Sequence, residues 1–109
     1  MRWSGWGHEG TSFTHADKPG LRPLILRHLE VDIAYATATP VAFGQLSLDS
    51  SSLPPGLGEA LAAAVGASHV STDALDRVIH ARGKSLRDLV RQRRGELGRL
   101  PDVVARPGS

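Results

Sequence analysis

The last nine residues, PDVVARPGS, constrain the fold most, because they form a single extended run at the end of a chain with otherwise helical signals. Val103 and Val104 are β-branched, and Pro107 excludes its neighbour from helical backbone. Ser109 is a residue type that caps helix N termini. A lone strand is marginally stable in water, and this one has no expected partner nearby in sequence. The pattern predicts a mainly α chain whose one C-terminal strand needs a sheet.

Apolar spacing and the positions of Pro and Gly predict the first two of about four short helices. Leu residues from position 21 onward recur at helical spacing, which predicts a helix ending near Glu30 with Pro23 tolerated in its first turn. The second helix opens at Pro54 and Pro55 and stops at Gly66. Between them VDIAYATATPVAF alternates loosely, but its proline limits it to an edge strand or a loop, and SLDSSSLPPG is typical of a linker.

The third and fourth helices follow closely. The third is predicted over about 73–82 with its stop at Gly83. The fourth begins at Ser85, where Ser-x-x-Asp resembles a capping box, and ends at Gly95. With aromatic residues at 5%, the core is expected to consist mostly of Leu, Val and Ala. The residues expected to face inward on these last three helices are Leu57, Leu61, Ala64, Val65, Leu75, Val78, Ile79, Leu86, Leu89 and Val90.

The composition excludes several classes of protein. The absence of Cys removes disulfides, thiolate metal sites and cysteine nucleophiles. The start, MRWSGWGHEG, lacks the apolar stretch of a signal peptide, and no run has the length of a membrane span. We therefore expect a cytoplasmic protein without a transmembrane segment. The net charge of +2 is uneven, because residues 77–99 carry eight basic and two acidic side chains.

The basic region contains Gly83-Lys84-Ser85, which resembles the end of a phosphate-binding P-loop. Such a loop needs Gly five residues before the Gly-Lys pair and a strand leading into it, but Val78 and a predicted helix occupy those places. The structural interpretation, in which Gly83 ends one helix and Ser85 caps the next, is therefore preferred. Lys84, Arg87, Arg91 and Arg94 also follow a helical stripe that could hold phosphates of a nucleotide or nucleic acid. A solvated helix face is favoured over that function.

The five histidines do not support a metal site, because none of them pairs at the i, i+4 spacing of a helical metal motif. His80 lies beside the apolar pair Val78 and Ile79 and four residues before Lys84. It is a candidate for proton transfer or cofactor contact, with a half-buried structural histidine as the favoured alternative. At the other end, MRWSGWG predicts that Trp3 and Trp6 dock as a clasp on a surface, which could lie outside this chain.

Two stretches resemble one family, the FAD-linked oxidases of the alkylglycerone-phosphate synthase (alkyldihydroxyacetonephosphate synthase) group. MRWSGWG is similar to the opening of the catalytic region, and the run from Val70 to Ser109 is similar to the segment before the flavin domain. The intervening residues 8–69 match only in style, and Ser4 stands where relatives often have Trp or Asn. The matching positions of the second stretch are Asp76, Arg77, Val78, His80, Ala81, Gly83, Leu86, Leu89, Arg99, Pro101, Asp102 and Val104.

The resemblance implies the following organisation. Residues 1–20 form an irregular Trp/Gly arm, 21–52 a short helix and linker, 53–99 a helical region, and 100–109 the start of a truncated FAD-binding domain of α+β type. The full-length relative would be a flavoprotein using FAD for alkyl/acyl exchange in ether-lipid metabolism or for a related flavin-dependent oxidation.

This chain would then be an N-terminal fragment without catalytic or metal-binding residues, binding no FAD alone, whose partners are the missing FAD-binding and substrate domains. Candidate cofactor contacts are His80, Lys84 and Arg87. The alternative is a small independent module that binds an anionic partner through its basic helix face.

Overall fold

The computed structural model describes residues 1–11, 14–35 and 39–108 and confirms the mainly α fold class. Ser109, expected to cap a helix, and part of VDIAYATATPVAF lie outside these residues. Four helices and one two-stranded antiparallel sheet are present in the described chain. In chain order the elements are α1 (Leu21–Leu29), α2 (Leu57–Val65), β1 (Val70–Ser71), α3 (Ala74–Ile79), α4 (Leu86–Arg93) and β2 (Val104–Ala105), with 3₁₀ turns at Ile33–Tyr35, Phe43–Gln45 and Ala67–His69.

The predicted C-terminal ends of α1, α2 and α4 are confirmed, because their capping chemistry is local. The predicted start of α2 was wrong, since the helix begins at Leu57 and both prolines precede it. Gly66, at φ 93°, follows α2, and the Ser85 hydroxyl accepts a hydrogen bond of 3.2 Å from the backbone N–H of Asp88 at the start of α4. Gly95 has φ 78° and closes α4, with hydrogen bonds that match a Schellman motif. Within the described ranges, no helix has both the length and the apolar character needed to cross a membrane.

The predicted end of α3 was wrong. The helix stops at Ile79 rather than near Arg82, and Gly83 does not adopt the positive φ of a left-handed stop. His80 is the C-cap residue instead: its backbone N–H donates to the carbonyl oxygens of Asp76 and Val78, and its Nδ1 lies 2.8 Å from the same Asp76 carbonyl oxygen. The imidazole thus lies against the last turn of α3, where carbonyl groups lack further backbone donors.

The expectation that the C-terminal strand has no partner was also wrong. β2 pairs antiparallel with β1, with Val70 opposite Ala105 and Ser71 opposite Val104. A hydrogen bond of 2.8 Å from the Arg106 N–H to the His69 carbonyl extends the pairing. Two residues are too few to show strand periodicity in a sequence, which is why β1 escaped prediction.

The core is small and lies where α3 and α4 meet the segment before β2. As expected, its apolar members are Leu and Val: Val78, Leu89, Leu97, Leu100 and Val104. The prediction that Leu75, Leu86 and Val90 face inward was wrong, since they are 47%, 70% and 41% exposed. It was also wrong for two residues of α2, Leu57, which is 39% exposed, and Ala64. The buried side of α4 instead includes the fully buried amide side chain of Gln92, so the covered stripe is narrower than the apolar spacing implies.

The chain is elongated, with principal extents of 58 × 31 × 20 Å and a radius of gyration of 18.5 Å. A compact domain of about 100 residues has a radius of gyration of about 13 Å. The small core and extended shape leave many large apolar side chains at the surface, including those of α1, none of which is buried. Much of the apolar surface is therefore uncovered by the chain itself.

Candidate functional site

The N-terminal arm, residues 1–20, docks on the turn that precedes α4. The Lys84 ammonium donates hydrogen bonds to the carbonyl oxygens of Arg2, at 2.9 Å, and Trp3, at 3.2 Å. In return the indole N–H of Trp6 donates to the Lys84 carbonyl oxygen at 2.9 Å. The side chain and the backbone of Lys84 thus both bind the arm, whose residues lie about 80 positions earlier in the sequence.

Trp3 anchors the arm on the apolar core. Its ring meets Phe43 edge-on, with centroids 6.0 Å apart and planes at 62°. It packs against the buried cluster of Val78, Leu97 and Leu100. Edge-to-face aromatic pairs add about 0.5–1.5 kcal/mol beyond area burial. The predicted docking of the tryptophans is therefore seen, and the surface they dock on lies within this chain.

The arm closes on itself around Arg2. The Arg2 N–H donates to the Gly7 carbonyl at 3.0 Å, and its guanidinium Nη1 donates to the Thr11 carbonyl at 2.7 Å. Gly7 has φ 78°, a conformation that favours glycine. This turn places Trp3 and Trp6 so that both reach the body of the chain.

The three candidate cofactor residues have different surroundings. Partial burial lowers the pKa of Lys84, and its ammonium is engaged by the arm. The imidazole of His80 caps α3 at the surface, and Arg87 is exposed on α4. Since the arm engages Lys84, the basic stripe expected along α4 is reduced to Arg87, Arg91 and Arg94.

Several arginines of the basic region bind the chain's own backbone, a role that sequence reasoning missed. Arg77, only 4% exposed, donates from Nε to the Pro101 carbonyl at 2.7 Å, and Arg82 donates from Nε to the Leu97 carbonyl at 2.8 Å. These contacts hold the segment before β2 against the helices. The only sequence signal was their position within one or two turns of predicted apolar residues, which does not distinguish them from surface arginines.

Asp76 connects α3 to the residues beyond β2. Its Oδ1 forms an ion pair of 2.6 Å with Nη2 of Arg106. A hydrogen bond with the Ser71 side chain and then the one from Arg106 lower the pKa of this carboxyl. The carboxylate thus fastens the two-stranded sheet to the helical region.

Asp102 ties the stretch that was expected to be a linker to the segment before β2. The Ser51 hydroxyl donates to its carbonyl oxygen at 2.6 Å, and the Ser52 N–H donates to its Oδ1 at 3.0 Å. The bond from Ser52 is the main reason why the pKa of Asp102 is lowered. SLDSSSLPPG is therefore irregular in structure but attached to the body.

Neither the junction between β1 and α3 nor the cavity beside α4 is suited to FAD. β1 leads into α3 through Thr72 and Asp73, and a carboxylate at that helix start opposes the negative pyrophosphate. A cavity of about 160 Å³ is lined by Thr39, Val90, Arg93 and Arg94, below the 300–1,000 Å³ typical of ligand pockets. Residues 1–11, 14–35 and 39–108 also contain no cluster of three side chains suited to a metal ion.

Comparison with known proteins shows which solved structures share this fold. No protein-family model matches the chain. Two crystal structures of alkyldihydroxyacetonephosphate synthase, in P1 and in P2₁2₁2₁, match all of it at 27% identity with TM-scores of 0.75 and 0.78. The chain spans only 24% and 23% of those synthase chains. It therefore has the fold of about a quarter of the synthase.

A curated relative defines the family. "Protein Rv2250A" of Mycobacterium tuberculosis is 32% identical over 108 residues, which are 99% of this chain and 70% of the relative. The chain belongs to the same family as this mycobacterial protein. The relative is itself a short chain, because most of its length lies within the matched region.

Proposed function

We propose that this chain is the N-terminal helical part of an FAD-linked oxidase of the alkylglycerone-phosphate synthase type. The contact between its two ends carries the proposal. The two stretches that resemble the family, MRWSGWG and the run from Val70, are distant in sequence, yet Lys84 and Trp6 join them by three hydrogen bonds. Segments that resemble one family and also interlock in space behave as a single structural unit.

The share of the synthase that is matched supports assigning structural support to this chain and flavin binding to the unmatched part. About three quarters of the synthase chain lies outside the region that this chain matches. We assign flavin binding and substrate binding to a part that corresponds to those three quarters. The reaction would be alkyl/acyl exchange of the ether-lipid type or a related flavin-dependent oxidation, and the 109-residue chain is catalytically incomplete alone.

Under this proposal the chain supports the flavin-binding part rather than supplying the chemistry. Its ion pairs and arginine–carbonyl bonds fix β2, which the family resemblance makes the first strand of the flavin domain. His80 and Arg87 stay candidates for contacts at the edge of that domain. Lys84 also stays a candidate, although its ammonium donates hydrogen bonds to two carbonyl oxygens of the arm.

The proposal is tested by spectroscopy of the chain with and without its complement. The complement is the polypeptide that matches the other three quarters of the synthase, expressed separately for this experiment whether its coding sequence continues this one or lies elsewhere. We expect the chain alone to be colourless after purification and the co-expressed pair to yield a stoichiometric complex with a flavin absorption spectrum. Flavin bound by the chain alone, or a pair that does not associate, would overturn the proposal.

The exposure of Arg87 and Arg94, with Arg91 half-buried between them, favours a second candidate function, binding of an anionic partner through α4. This function requires binding of RNA or DNA oligonucleotides that weakens with salt and is lost when all three arginines become Ala. Arg27→Ala, at an exposed arginine of α1, is the matched control. Absent or salt-independent binding would eliminate this candidate.

A further inference from the structure

Residues 21–35, called the α1 segment here, expose several large apolar side chains to solvent. α1 packs substantially only against the 3₁₀ turn Ile33–Tyr35, and none of its residues is buried. An apolar surface of this kind on a water-soluble chain marks an interaction site. The exposed fractions are 51% for Leu24, 46% for Leu26, 68% for Leu29, 53% for Val31 and 72% for Tyr35.

Local polar contacts give this segment a defined shape. Arg22 and Asp32 form a two-pronged ion pair, with Nε to Oδ1 and Nη2 to Oδ2 both at 2.8 Å. Asp32 Oδ1 also accepts the Ala34 N–H at 3.0 Å, and the Arg22 guanidinium lies 6.0 Å from the centroid of the Tyr35 ring. The helix and the following turn are thus clamped together, and the apolar side chains project from a preorganised surface.

Intrinsic helix stability does not explain α1. Isolated helices shorter than about 12–15 residues are marginal in water, and most helical stability in proteins comes from packing of an apolar face. α1 has nine residues and a proline in its first turn. Its apolar side therefore needs a surface that the described residues of this chain do not supply.

The occupant follows from the comparisons. The synthase structures match this chain over its whole length, including the α1 segment, and continue for three quarters of a chain more. The mycobacterial relative retains 99% of the chain, again with the α1 segment. A segment that is kept in both, but packs on little within this unit, has its contact surface in the part that the synthase adds.

We propose that the exposed side of the α1 segment is the docking surface for the flavin- and substrate-binding polypeptide that corresponds to the unmatched three quarters of the synthase. This inference rests on the proposed function and assigns its main apolar contact. The interface includes Leu24 and Leu29, the two most exposed leucines of α1, and the Arg22–Asp32 clamp holds the segment in shape.

Binding measurements on the full 109-residue chain test the assignment. The probe is the complement described above, purified with FAD and titrated by calorimetry. We expect Leu24→Gln with Leu29→Gln to weaken binding by at least about tenfold, as loss of central apolar contacts does. Leu75→Gln is the matched control, because Leu75 is 47% exposed on a different helix, and it should change the affinity less than about twofold.

A second variant separates the clamp from the apolar contacts. Arg22→Met removes the ion pair but keeps an apolar stem, and it should weaken binding mainly through slower association. Far-ultraviolet circular dichroism shows whether each variant retains its helices.

The outcomes separate this inference from the proposed function. If the wild-type chain binds the complement and the double variant binds equally well, the α1 assignment is overturned and the proposed function stands. The assignment also fails if Leu75→Gln weakens binding as much as the double variant does. If the wild-type chain does not bind at all, both fail.

Discussion

Replacing Lys84 with Met should release the N-terminal arm while leaving the helical region folded. The substitution keeps most of the apolar stem and removes the ammonium that donates to the Arg2 and Trp3 carbonyls. The bond from the Trp6 indole to the backbone carbonyl of residue 84 is retained. The variant therefore tests the two ammonium hydrogen bonds alone.

The magnitude follows from the geometry. Hydrogen bonds that involve a charged group contribute about 1.5–3 kcal/mol each. Here one bond is short, at 2.9 Å, the second is longer, at 3.2 Å, and the lysine is partly exposed, so water replaces some of what is lost. We expect the free energy of arm docking to fall by about 2 kcal/mol, which raises the ratio of detached to docked arms about 30-fold.

Tryptophan fluorescence reads this equilibrium directly, because Trp3 and Trp6 are the two tryptophans of the whole chain and both lie in the arm. In a urea titration, the fluorescence transition should move to lower urea, whereas far-ultraviolet circular dichroism of the helices should move much less. Lys18→Met is the control, since Lys18 is the other lysine and, in the described chain, its ammonium pairs only with the exposed neighbour Asp17. An unchanged fluorescence transition in Lys84→Met would refute the reasoning.

Three further predictions concern stability. Gln92→Met should raise the midpoint of thermal unfolding by roughly 4–8 °C, because the fully buried amide has no hydrogen-bond partner within the described ranges. Gln45→Met, at an exposed glutamine, should have little effect on the midpoint. A lower midpoint for Gln92→Met would contradict this account. Gly98→Ala should destabilise by about 1–3 kcal/mol in urea unfolding, because Gly98 has φ +68°, which residues with a Cβ rarely adopt, and the new Cβ would also displace the end of the Arg82 side chain. Gly44→Ala, without positive φ and with open space, should cost less than about 0.5 kcal/mol. Equal costs would refute the argument from backbone conformation. The pKa of Asp76 lies below its ordinary value of 3.8, so the carboxylate stabilises the folded state above that pH and this contribution is lost as pH falls through the lowered pKa. Asp76→Asn should therefore lose stability less steeply than the wild-type chain below about pH 4. Identical pH profiles of stability would exclude the role of this carboxyl.

Local signals in the sequence predicted much of the fold. The serine cap of α4 and the glycines after α2 and α4 act within one turn, so they are visible as short patterns. The Trp/Gly motif likewise indicated docking. These features need no knowledge of the distant chain.

The features that were missed depend on residues far apart in sequence. β1 exists because residues 104–106 lie beside it, and Arg77 is buried because the Pro101 carbonyl meets its Nε. Gln92 is fully buried in the core, but a polar residue type predicts an exposed position. The docking surface of the tryptophans was also undecided, since nothing near Lys84 marks it as an acceptor for an arm some 80 residues away.

The separation between the arm and its docking turn has a consequence for synthesis on the ribosome. The arm is made first, but the lysine that holds it is made 81 and 82 residues after its two acceptor carbonyls. Both indole rings therefore wait, uncovered, until most of the chain has left the exit tunnel, and loop closure of that length carries a large entropic cost. Docking of the arm therefore follows synthesis of Lys84, and until then the nascent chain exposes an apolar motif to aggregation or chaperone binding.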